Sequence, residues 1–144
     1  MKPAFVFLFS LILLSCEESL LKGLGEKTSS ENTIEQNLIG NWENQEYQDS
    51  LITLHPVARL SQDQYGISFY EDGTLKEIKN SGWCGTPPIA YGEFYGTWDL
   101  SPDSVLTLET TFWGGEFYLE WKILEITDKS MIYYLQRSES IYIE

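Results

Sequence analysis

The chain has 144 residues, one domain's worth, and sets 22 acidic side chains against 9 basic ones for a formal net charge of −13. Nucleic acid and anionic lipid headgroups are poor partners for a surface of that sign.

The first fifteen residues carry one cation, Lys2, followed by an uncharged, largely apolar run from Pro3 to Ser15. That is the pattern of a secretory signal, and it is shorter than the roughly 18 apolar residues a membrane-spanning helix needs. Leu13-Leu14-Ser15-Cys16 resembles the lipobox of bacterial lipoproteins. The resemblance implies cleavage before Cys16 and acylation of its thiolate, with palmitate-type chains holding the mature protein to a membrane. Each buried CH₂ contributes about 0.8 kcal/mol, so two or three chains anchor far more firmly than one. Glu17 and Glu18 resemble the acidic signals that send some lipoproteins outward, which implies an outer-membrane location, on the periplasmic face or the cell surface. With Cys16 used as the anchor, Cys84 has no intramolecular disulfide partner; burial, pairing with another chain and reactivity all stay open, burial being the commonest fate.

Residues 16–37 read as a flexible tether, polar and rich in Glu, Ser, Asn and Gly, in which Asn32-Thr33-Ile34-Glu35 caps at most a short helical turn. Residues 38–144 form the domain. Aromatic and β-branched runs there alternate with turn residues and no helical stripe intervenes, so the class is all-β. Trp42 to Tyr47 is the first strand and Gln48 to Gln64 a long loop. Ile67 to Tyr70 turns through Asp72-Gly73, where glycine in the third loop position places Phe69 opposite Leu75. Tyr91 to Leu100 turns at Pro102-Asp103 into Ser104 to Phe112, with Phe94, Trp98 and Leu100 on the face of Leu106 and Leu108. Glu116 to Thr127 alternates Phe117, Leu119, Trp121 and Ile123 against polar neighbours. Met131 to Arg137 and a short Ile141 to Ile143 complete a count of eight strands, which predicts an eight-stranded antiparallel up-and-down barrel.

Leu38-Ile39-Gly40-Asn41-Trp42, Ile67 to Leu75, Gly96-Thr97-Trp98-Asp99-Leu100 and Ile123 to Ser130 together resemble the lipocalin-like domains of bacterial lipoproteins. The resemblance covers nearly all of residues 38 to 138 and implies a calycin-type barrel that binds a small apolar or amphipathic ligand. In lipocalins an arginine near the last strand packs on the tryptophan that corresponds to Trp42. Arg137 is the candidate here, yet strand parity carries it away from Trp42.

Parity also sorts the connections. Tight turns at Asp72-Gly73, Pro102-Asp103 and Asp128-Lys129 fall at one end, and the connections at Gln48 to Gln64, Ser81 to Ala90 and Trp113 to Gly115 at the other. Long loops over short turns make a mouth. Ligand-binding candidates are Trp83 and Trp113 in the mouth loops, with Trp98, Trp121, Phe94 and Glu77 facing inward below them; aromatic faces and one carboxylate suit an amphipathic molecule. The competing reading is a barrel filled solid by those aromatics, a non-catalytic scaffold or protein-interaction lipoprotein working through its acidic exterior. No glycine-rich phosphate loop or metal-ligand spacing points to an enzyme, and a Cys84–His55 pair across the mouth is the sole catalytic arrangement to weigh. No cofactor is implied, and a monomeric domain is expected.

Overall fold

The computed structural model describes residues 29–83 and 85–143; the signal segment, Cys16, the first part of the tether and Cys84 lie outside the described residues. The tether ends in a helix, α1 (Ser29–Leu38), of 10 residues, longer than the single turn expected. Gly40, at φ 136°, then takes the chain from the helix into the sheet through a backbone angle that side chains disfavour. Leu38 is fully buried at one end of the domain, and its carbonyl accepts a hydrogen bond from Trp42 Nε1 at 2.8 Å.

Eight antiparallel strands follow: β1 (Gly40–Gln48), β2 (Leu51–Val57), β3 (Gly66–Phe69), β4 (Thr74–Asn80), β5 (Tyr91–Leu100), β6 (Val105–Phe112), β7 (Gly115–Ile126) and β8 (Met131–Tyr142). They close into a barrel in the ring order β1-β2-β8-β7-β6-β5-β4-β3. The expected eight-stranded all-β barrel is therefore present. From β3 to β8 it is a simple meander; Phe69 lies opposite Leu75 and Trp98 opposite Leu108, as the sequence implies, and Leu108 lies opposite Leu119.

Two assignments change. The stretch expected to be a loop from Gln48 to Gln64 contains β2, and the two short strands expected at the C-terminus are one continuous β8, so the count of eight survives by compensation. The order departs from pure up-and-down at one place. Because β2 lies between β1 and β8, the chain must cross β1 to reach β3. Trp42 points into the core, so its neighbour Glu43 points outward, and there the carboxylate accepts hydrogen bonds from the Ser61 amide, the Ser61 hydroxyl (3.1 Å) and Gln64 Nε2 (2.8 Å). Residues 58–65 thus strap the outside of β1. Glu43 is only 3 % exposed, and a buried carboxylate persists because all three donors meet it. Gly66 gives the strap room, since a Cβ there would lie 2.9 Å from both Glu43 Cγ and Leu60 Cδ2 and would displace those side chains.

The ring closes over a short seam. Only Ile52–Leu54 of β2 pair with Met131–Tyr133 of β8, and only four residue pairs join β1 to β3, whereas β7 and β8 run together from Ile126 and Met131 to Gly115 and Tyr142. Around the seam the interior is solid. Trp42, Leu54, Ile67, Phe69, Leu75, Leu106, Leu108, Trp121, Ile123, Met131 and Tyr133 form one core in which Trp121 stacks on Tyr133 (ring centroids 4.1 Å) and Phe69 meets Trp98 and Trp121 edge-on. Arg137 is far from this core: it bonds Glu139 at 2.6 Å and lies 3.6 Å from Glu120 on the outer face, so no arginine of β8 packs on Trp42.

Candidate functional site

The turns between β3 and β4, β5 and β6, and β7 and β8 lie at the end capped by Leu38, and the β4–β5 loop, the β6–β7 turn and the end of β8 lie at the other. Strands β4 to β8 continue past the seam toward that second end, and their inner faces form the wall of an open mouth. Alternation along β4 puts Leu75, Glu77 and Lys79 on the inner face, each further from the core than the last.

Glu77 marks the change from apolar core to polar floor. It is 2 % exposed and satisfied on every side: Tyr65 donates its hydroxyl at 3.0 Å, Thr110 donates at 2.9 Å, and the Lys79 ammonium pairs with it directly. Lys79 also reaches Thr110 Oγ1 at 3.4 Å and lies between two rings, 5.3 Å from the Phe94 centroid and 5.4 Å from that of Phe117. Burial, reinforced by the Glu77 carboxylate, pushes the Tyr65 hydroxyl well above the usual tyrosine range, so it remains a donor to Glu77.

Above this floor a hollow of about 380 Å³ opens to solvent, lined by Lys79, Trp83, Phe112, Trp113, Phe117 and Tyr142 with the loop glycines Gly82 and Gly85. Phe112 organises the wall. It stacks on Phe117 at 4.3 Å and takes Trp113 and Tyr142 edge-on at 5.7 and 5.4 Å. Trp83 is 81 % exposed and Trp113 49 %, unusual exposure for indoles and the reason the rim has apolar faces to offer. Two other hollows of similar size lie elsewhere. One is a groove on the outer face between Tyr95, Tyr118 and Ile141, bordered by the exposed Glu109 and Glu116; the other sits by Glu35, Ile39 and Trp98 at the capped end. Neither combines an aromatic wall with an ion pair at its base.

The six residues singled out from sequence divide by depth. Trp83 and Trp113 line the same hollow at the mouth, Phe94 flanks Lys79, and Glu77 lies beneath, paired with Lys79. Trp121 is core, 4 % exposed under Tyr133, and Trp98 lies toward the capped end, where its Nε1 donates to Tyr70 O at 3.0 Å. Those two tryptophans do not reach the mouth. Lys79, Phe112, Phe117 and Tyr142 are additional lining residues; strand alternation from Glu77 and from Trp121 was the signal that would have found Lys79 and Phe117.

His55 does not lie in a mouth loop. It is in β2, its Nδ1 is 3.1 Å from Lys129 O in the β7–β8 turn at the capped end, and its Nε2 is 3.3 Å from Glu46 Oε1. Facing a carbonyl, Nδ1 must carry the proton, and His55 is held away from the loop that contains Trp83 and Gly85. Cys84 is outside the described residues. Among the described residues no three His, Cys, Asp or Glu side chains gather as a metal site, and no helix is long and apolar enough to cross a membrane. Comparison with protein families, with curated proteins and with solved structures gives no match.

Proposed function

We propose that the protein is an exported lipoprotein, anchored to the outer membrane through acylated Cys16, whose barrel binds a small amphipathic or hydrophobic molecule at its mouth and does so without catalysing a reaction. One observation carries this reading: an aromatic hollow stands open above the half-buried Lys79 and its buried partner Glu77, while the barrel below is filled. Such a site lays apolar surface against Phe112, Phe117 and the two rim indoles and offers a polar group the Lys79 ammonium. The resemblance to lipocalin-like domains supports the same class of ligand, held higher than in a hollow calyx.

The test is calorimetric. Oleate, lysophosphatidylcholine and a short oligosaccharide are titrated into the protein, and saturable binding of one amphiphile that Phe112→Ala weakens at least tenfold supports the reading. No heat from any of the three removes it, and leaves the scaffold reading, which the filled section favours. Anchoring is tested separately: Cys16→Ala should move the protein from the outer-membrane fraction to the soluble one, and protease treatment of intact cells distinguishes the two faces.

A further inference from the structure

Among the described residues, closure of the barrel leaves the C-terminal half of β8 with a long bare edge. Past Tyr133 nothing among the described residues pairs with β8 on the side away from β7, and every residue from Leu135 to Ile143 is exposed, including Leu135 at 47 %, Ile141 at 63 % and Tyr142 at 66 %. The Ile143 amide donates to Gly114 O at 3.0 Å, so along the extended chain Ile141 and Glu139 aim their backbone groups at β7. Tyr142, Ser140 and Ser138 aim theirs at the free edge. A bare edge with apolar side chains is a template for another strand.

We propose that this edge pairs with the same edge of a second copy, antiparallel, about a two-fold axis at Ser138. The sequence around that residue is self-complementary. Pairing Ser138 with Ser138 sets Arg137 opposite Glu139 of the second copy, and Glu139 opposite Arg137, so both pairs across the axis are of unlike charge. It also brings Leu135 and Ile141 of opposite copies to the same end of the ribbon. With Arg137, Glu139 and Ile141 turned toward β7, the hydrogen-bonded pair on the axis can be only Ser138, Ser140 or Tyr142, and of these Ser138 alone sets unlike charges opposite each other. Gln136, the extra residue of a bulge against β7, limits the regular ladder to the stretch centred on Ser138. The interface is isologous, it needs no foreign partner, and it replaces the monomer expected from sequence. It is independent of the ligand reading.

Disulfide trapping in the full chain tests it. Paired Ser138 residues lie about 5.5 Å apart between Cα atoms, within disulfide reach. Two copies of residue 140 lie four residues apart along the ribbon, about 13 Å, and are out of reach. Under mild oxidation, Ser138→Cys should form covalent dimer at least tenfold above Ser140→Cys and above the parent chain, whose own cysteines set the background. Arg137→Glu in the Ser138→Cys chain should abolish trapping, and adding Glu139→Arg should restore it. Equal trapping at 138 and 140, trapping that ignores the charge reversal, or no trapping at either position in variants with the parent's melting temperature would overturn the pairing.

Discussion

The two ends of this barrel are built from the same strands but obey different rules. Around the seam, inward positions are apolar and almost fully buried, with Trp121 on Tyr133 and Phe69 against both Trp98 and Trp121. Two residues further along the same strands, the inward positions become Glu77, Lys79 and Thr110, and beyond them Phe112 and Phe117 stand beside an open hollow. The lower end gains its stability from close packing. The upper end tolerates exposed indoles and a charge pair because the lower end holds the strands in register. A protein arranged in this way can vary its mouth without unfolding, which is what separation of scaffold and site requires.

Substitutions should therefore separate the ends by stability. Trp121→Ala removes the central core ring and should cost about 3–5 kcal/mol, read from urea midpoints. A cost below about 1 kcal/mol would mean the lower end is not close-packed. Glu43→Ala deprives the Ser61 amide, the Ser61 hydroxyl and Gln64 of their acceptor. A loss of about 1–3 kcal/mol is expected, with amide exchange quickening across residues 58–65 before the rest of the sheet.

Alkaline pH probes the boundary between the ends. Burial pushes the Tyr133 hydroxyl far above its ordinary value, and burial with Glu77 does the same for Tyr65. Both folded values exceed the unfolded value near 10, so the preference for the neutral phenol is fully present below about pH 10 and is lost as pH rises above it. Stability should fall between pH 10 and 11 by up to about 1.4 kcal/mol from Tyr133, and Tyr133→Phe should flatten that slope. An unchanged slope in the variant would contradict the assignment. Smallest of all, Trp83→Phe and Trp113→Phe should each change stability by less than about 0.5 kcal/mol, since both indoles are exposed.

Much of the scaffold was legible because local chemistry and long-range packing agree there. Gly73, at φ 81°, fixes a turn whose register then carries Glu77 inward and Phe94 opposite it. The β2 strand was hidden because Pro56 reads as a strand breaker and the Asp49-Ser50 turn lacks glycine. Pro56 is tolerated because β8 pairs only with residues 52–54, so at Pro56 one edge of β2 is open. The strap over β1 was not legible either: Glu43 and Ser61 carry no local sign that they meet across 18 residues. Of the site, alternation placed Glu77 and Phe94, and the loops placed Trp83 and Trp113. Trp98 and Trp121 face inward below the mouth as expected, but they pack in the filled section and do not line the hollow, because alternation fixes the face a side chain takes and leaves its depth to strand stagger.

Depth is also what decides the account. The chain has five tryptophans, at 42, 83, 98, 113 and 121, and stearate carrying a nitroxide quenches those it touches. With oleate-competable binding as the control, the labelled stearate should quench the parent protein. It should leave the fluorescence of a Trp83→Phe, Trp113→Phe chain, which keeps the three deeper indoles, almost unchanged. Undiminished quenching in that chain would place the ligand among Trp42, Trp98 and Trp121, and would contradict a barrel that is solid below and open only at its mouth.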